Sequence, residues 1–187
     1  METMKSGLAG VLAALLASNA SACMLSDARW IYCAKDAGKS LSPGYVRYVF
    51  DVPKGESVKS AWIYSYRFRG DDGVYVNGTR VSESVPEEFL RMAGRINGTK
   101  AEFPALLKPG RNVLSFCLDE PNPGFQGMIL RGEITLANGR VVSLAANAGN
   151  TRGSYAAPDG WRLPDFDDAG WKPVREFGDA TYQRWLE

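Results

Sequence analysis

The chain of 187 residues contains no histidine. That removes the side chain that titrates nearest neutral pH, the usual base for a serine or cysteine nucleophile, and the commonest metal ligand. Cysteine is scarce as well: Cys23, Cys33 and Cys117 are the three present, and none has the CxxC spacing of a zinc site. A surplus of one charge is also missing. Lys and Arg total 22 against 21 Asp and Glu, a formal net charge of +1, so electrostatics supplies no reason to expect nucleic acid or a membrane surface as partner. Helical periodicity is almost absent, and no alternating βα pattern runs through the chain.

What is present begins with an export signal. Lys5 precedes an apolar run from Leu8 to Ala17, too short to span a bilayer, and small residues from Ser18 to Ala22 lead into Cys23. Ala20-Ser21-Ala22 suits a signal-peptidase site; with Cys23 it also approximates a bacterial lipobox, with Ala20 where leucine is usual. The expected organisation is a signal segment over 1–22 and one domain over 23–187. Export to the periplasm, outer membrane or cell surface is expected, with membrane contact only through a lipid on Cys23. Lipidation there leaves Cys33 and Cys117 as an even pair that an oxidising compartment would let join, the alternative being two separate core thiols.

The strands are legible from alternation. Val46, Tyr48, Phe50 and Val52 share a face of a strand over Tyr45–Val52 that Pro53-Lys54-Gly55 ends. Trp62, Tyr64, Tyr66 and Phe68 alternate with Ala61, Ile63, Ser65 and Arg67, and an aromatic stripe at this spacing is expected to face the core. Val74-Tyr75-Val76 leads into Asn77-Gly78, the dipeptide best suited to a two-residue type I′ turn, and Asn138-Gly139 is expected to turn a second hairpin the same way. Asn112–Leu118 alternates again, with Leu114, Phe116 and Leu118 opposite Val113, Ser115 and Cys117. Ser84-Val85-Pro86-Glu87 has capping-box spacing for one short helix over Val85–Ala93. The stretch from Ala146 to Asp168 reads as more loop than element. Together these patterns predict an all-β antiparallel sandwich or jelly roll with one short helix.

Four blocks, Trp30-Ile31, RGDDGVYVNGTRV over Arg69–Val81, LLKPGRNVLSF over Leu106–Phe116 and PDFDDAGWKPV over Pro164–Val174, carry a resemblance. In that order they resemble the galactose-binding-like β-sandwich modules attached to secreted bacterial glycoside hydrolases such as α-L-rhamnosidases and β-galactosidases. The resemblance implies an ancillary role, carbohydrate binding or docking beside a catalytic domain or a separate glycoside hydrolase. It also implies that Trp171, within the last block, plugs the core.

Sugar recognition needs a flat apolar face with fixed polar groups around it, which selects aromatics beside Asp, Asn, Gln and Arg. Asp71 and Asp72 could accept hydroxyl hydrogen bonds or ligate a structural Ca²⁺, or could simply form an Asx turn. Phe125 and Gln126 lie in a loop between strands, and Trp161 with Arg162 is expected to be exposed in a loop-rich segment. A glycosidase needs only two carboxylates, which Asp119, Glu120, Asp165, Asp167 and Asp168 could supply, although turns and capping account for them equally. A structural or protein-interaction sandwich without sugar binding is the remaining alternative.

Overall fold

The computed structural model describes residues 28–33, 44–67, 73–84, 97–118 and 127–179. Cys23, Asp71, Asp72, Phe125, Gln126 and the helix expected over 85–93 lie outside these residues. Among them the chain is all β, two antiparallel sheets with a single 3-10 turn at Pro104–Leu106. Sheet A orders β13 (Arg175–Asp179), β1 (Arg29–Tyr32), β9 (Gly127–Leu136), β3 (Val58–Arg67), β7 (Asn97–Glu102) and β6 (Glu83–Ser84), with β10 (Val141–Ala145) also pairing with β9. Sheet B orders β12 (Lys172–Pro173), β11 (Thr151–Ser154), β2 (Gly44–Val52), β8 (Gly110–Leu118), β4 (Val74–Val76) and β5 (Thr79–Val81).

The period-two pattern explains the packing. On β2, Val46, Tyr48, Phe50 and Val52 enter the core; on β8, Leu114, Phe116 and Leu118 do so; on β9, Leu130, Ile134 and Leu136 meet them from the other sheet. The β2–β8 ladder runs unbroken from Gly44↔Leu118 to Val52↔Gly110. A one-residue slip would put Arg47 and Asp51 into the core, which fixes the register.

On β3 the expected inward face is overturned at Trp62 and Tyr64, while Tyr66 is buried and Phe68 lies outside the described residues. Ala61 and Ile63 belong to the core, whereas Trp62 and Tyr64 are half-buried on the outer face. The reason lies in the partner strand. Trp62 stands opposite Glu133 and Tyr64 opposite Arg131, while Ile63 stands opposite Gly132. Burying the aromatic row would bury those charges with it, a cost that outweighs the apolar area gained.

Asn77 and Gly78 have φ of 50° and 87°, as a type I′ turn requires, and Val74↔Val81 through Val76↔Thr79 pair across it. The Asn77 side chain also ties the hairpin to its neighbour. Its Nδ2 donates to Leu106 O at 2.9 Å and to Asn112 Oδ1 at 2.8 Å, and its Oδ1 accepts from Val113 N at 2.9 Å. The second hairpin turns differently from the expectation. Only Gly139 has positive φ there, Leu136 N donates to Arg140 O, and Asn138 Oδ1 accepts from Arg140 N, so three residues form the loop.

Cys33 and Cys117 carry thiols and share no disulfide. Cys33 is in the core cluster, while Cys117 alternates with the core residues Phe116 and Leu118 and therefore points to the opposite face of β8. Burial pushes the Cys33 thiol up to about 12 from 9.0, and burial also raises Tyr48 to about 12. Both groups ionise earlier in the unfolded chain, so their contribution to stability is intact below pH 9 and is lost as pH rises toward 12. Urea midpoints should be close at pH 8 and 9 and fall through pH 10 and 11, and Cys33→Ala should flatten that fall. A slope unchanged by the substitution would contradict the burial of the thiol.

Candidate functional site

Alternation places Tyr45, Arg47, Val49 and Asp51 of β2 beside Arg111, Val113, Ser115 and Cys117 of β8 on the outer face of sheet B. This face is covered. After β11, which the loop reading of 146–168 missed, residues 155–171 cross it as successive turns, with Leu163 N donating to Gly160 O at 2.9 Å and Trp171 N to Asp168 O at 2.9 Å. Aromatic rings anchor this cap. Trp161 meets Tyr45 edge-on at 5.3 Å and stacks on Trp171 at 5.8 Å, and Phe166 meets Trp171 edge-on at 5.8 Å. Trp161 is 6% exposed, against the expected exposure, and Trp171 is half-buried in the cap, not a plug of the core between the sheets; Trp161 is the anchor of the cap. Arg162 is held flat, its guanidinium 3.8 Å from the Tyr75 ring and 4.8 Å from that of Trp161. Leu163 reaches the first hairpin, where a Cβ on Gly78 would lie 2.8 Å from its Cδ2.

Arg47, fully buried, is the centre of the arrangement. Its Nε donates to Asp168 Oδ2 at 3.0 Å, and its Nη1 donates to Trp161 O and, at 3.1 Å, to Leu163 O. The Phe166 ring lies 5.0 Å from its guanidinium carbon. Burial pulls the guanidinium below its ordinary value and Asp168 opposes that pull. Arg47 is the residue that sequence reasoning missed. An arginine in the otherwise apolar and aromatic run GYVRYVF signals a buried cation whose carboxylate comes from far along the chain.

Where the cap's second half meets the sheet, a cavity of about 460 Å³ opens between Arg111, Arg152, Asp165, Phe166, Asp167 and Asp168. Asp168 is committed to cations, Arg47 on one oxygen and Arg111 at 3.7 Å on the other. Asp165 and Asp167 are exposed, and Asp167 Oδ1 accepts from Ala169 N at 3.0 Å. Carboxylate acceptors, guanidinium donors and one aromatic ring therefore line a small polar space. Of the expected site residues, Trp161 and Arg162 lie in the cap but beside this cavity, one buried and the other clamped. Among the described residues no cluster of three or more His, Cys, Asp or Glu is arranged to hold a metal ion.

No family model matches the chain, and no curated protein matches it. Solved structures do match its fold. The lectin of Pleurotus ostreatus, solved in complex with GalNAc, superposes with a TM-score of 0.63 at 17% identity over 86% of this chain and 45% of its own. The α-L-rhamnosidase of Streptomyces avermitilis, complexed with L-rhamnose, gives 0.59 at 21% identity over 80% and 14%. That of Aspergillus terreus gives 0.57 at 17% over 81% and 21%. This is the galactose-binding-like β-sandwich fold. The chain spans less than half the length of each of these proteins. Within the galactose-binding-like frame, the PDFDDAGWKPV block supplies the second half of the cap and β12, and Val74–Val81 of the second block supply the hairpin against which Leu163 rests.

Proposed function

We propose that this galactose-binding-like sandwich is a non-catalytic carbohydrate-binding module and that sugar hydroxyls bind in the cavity at the edge of the cap. The observation that carries the reading is the convergence of Asp165, Asp167, Arg111 and Arg152 around Phe166 in about 460 Å³. Carboxylates accept and guanidiniums donate to hydroxyls, and the ring offers an apolar edge to sugar C–H groups. The sugar complexes of neighbours sharing the fold support it. A glycosidase general acid needs a desolvated carboxyl; among the described candidates Asp165 and Asp167 are exposed and Asp168 is occupied by two arginines, while Asp119 and Glu120 lie outside the described residues. An accessory role beside a separate glycoside hydrolase follows naturally from binding without hydrolysis. The test is a glycan microarray probed with the domain starting after Cys23. Asp165→Ala and Arg152→Ala should each weaken the selected glycan about ten- to a hundredfold, the range for lost charge-assisted hydrogen bonds. Specific signal unchanged in both would move the site elsewhere. Silence across the array, for folded protein, would favour a structural or interaction module.

The export reading is part of the same proposal: the domain works outside the cytoplasm, held at a membrane by lipid on Cys23. Cys23→Ser should then shift the protein from the membrane fraction to the soluble one. An unchanged distribution would discard the anchor.

A further inference from the structure

The aromatic row turned outward on sheet A lies on the face opposite the cap. Two cross-strand rows define it. Trp62 stands between Glu133 of β9 and Glu102 of β7, and Tyr64 between Arg131 and Lys100. Directly opposed residues of an antiparallel pair have Cβ atoms about 4.5–5.5 Å apart, so a carboxylate flanks the indole on each side. Trp62 and Tyr64 meet edge-on with centroids 5.0 Å apart. The charges are paired along their own strands, Lys100 with Glu102 and Arg131 with Glu133. The Trp62 row is open to solvent: the side chain of Glu102 is 65% exposed and that of Glu133 33%. The face continues over β10, where Val141, opposite Thr135, is 53% exposed.

We infer that the outer face of β10, β9, β3 and β7 is a second carbohydrate-binding surface, which takes an extended neutral glycan with a sugar ring against Trp62 and hydroxyls on Glu102 and Glu133. It shares the carbohydrate reading given above but none of its residues. Three facts select this occupant. An indole set among polar side chains on an open sheet matches the apolar face and hydroxyl rim of a pyranose better than it matches an apolar protein surface, which would leave four charges to desolvate. Two carboxylates and two cations cancel, so the face has no net attraction for uronate chains or nucleic acid. Four adjacent strands span about 14 Å at about 4.8 Å per spacing, giving room for a chain of rings where the cap cavity admits only a small unit. Sites on opposite faces make the module bivalent, and one polysaccharide network then holds it more tightly than either site alone.

The test uses the domain after Cys23 on a microarray of neutral and uronate-containing oligosaccharides and in affinity electrophoresis with the corresponding soluble polysaccharides, comparing Trp62→Ala, Glu102→Gln and Asp165→Ala. Trp62→Ala should weaken binding to a neutral polysaccharide at least tenfold, and Glu102→Gln about threefold or more, whether or not Asp165→Ala is also present. Glu102→Gln alters one exposed group and so separates lost contact from lost fold. Loss with Trp62→Ala and Glu102→Gln but not with Asp165→Ala would keep this face and discard the cap cavity. Loss with Asp165→Ala alone would overturn the face and keep the cavity. Binding confined to uronate glycans, or a dimer in sedimentation that Trp62→Ala dissociates, would overturn the proposal, and so would absence of glycan binding altogether.

Discussion

Gly132→Val is expected to prevent folding, and Gly132→Ala to cost about 3 kcal/mol or more, against the roughly 5–15 kcal/mol that a domain of this size has in total. The residue lies mid-way along β9, the strand that joins β3, β10 and β1 in sheet A. A Cβ on it would sit 2.1 Å from the Trp62 carbonyl oxygen, 2.7 Å from Ile63 Cγ2 and 2.9 Å from Ile63 Cα. Two of those three atoms are backbone, so the clash cannot be relieved by a rotamer change. It would have to push β3 away from β9 and break the ladder from Val58↔Leu136 to Arg67↔Met128. Gly170→Ala is the control, because nothing lies within 4 Å of its added methyl group, and it should stay within about 0.5 kcal/mol of wild type. Urea denaturation of the three variants decides the matter. A Gly132→Ala midpoint as close to wild type as that of Gly170→Ala would mean that Ile63 and Gly132 are not cross-strand partners.

The same pair shows what was legible in the sequence. Strand positions were, because alternation and turn chemistry are local: the strand read over Tyr45–Val52 is β2 from Gly44, and Asn77-Gly78 turns as its positive φ angles demand. The inward face of β3 was not, because it depends on which strand pairs with it. Ala61 and Ile63 point inward because Leu130, Gly132 and Ile134 do, and nothing within β3 says so. The difference at the second Asn-Gly has the same origin. Asn138 keeps negative φ because the loop between β9 and β10 has three residues. In the cap, the loop-rich composition led to the expectation of an exposed Trp161, whereas it is 6% exposed. Trp161 is covered because Tyr45 and Trp171 come to it from residues far away in sequence. Arg47 stood out in its apolar run, but its partner did not, since its carboxylate, Asp168, is 121 residues along the chain.

That long-range pair carries the second large effect. Asp168→Asn removes the one carboxylate, among the described residues, bonded to the fully buried Arg47 guanidinium, and uncompensated buried charges of this kind cost about 3–5 kcal/mol. Arg47→Leu should cost a similar amount, because it strips the cap carbonyls of Trp161 and Leu163 of their donor as well. In the double variant no charge is left stranded, so its loss should fall at least about 1 kcal/mol short of the sum, a coupling that a double-mutant cycle reads directly. Additive losses would mean that Arg47 and Asp168 act independently. The effect should concentrate in the cap. Trp161 and Trp171 would gain solvent and shift their fluorescence to the red while the β signal of the two sheets persists. If the cavity is the sugar site proposed above, binding there should weaken with it, because Asp165, Phe166 and Asp167 adjoin the Asp168 that ties this part of the cap to Arg47. If Asp168→Asn leaves the cap closed in a fraction f of molecules, the apparent dissociation constant rises by 1/f. A glycan bound to the closed form should in turn restore part of the lost stability. On that proposed reading, one buried ion pair sets both the hold of the cap on the sheet and the affinity of the cavity beside it.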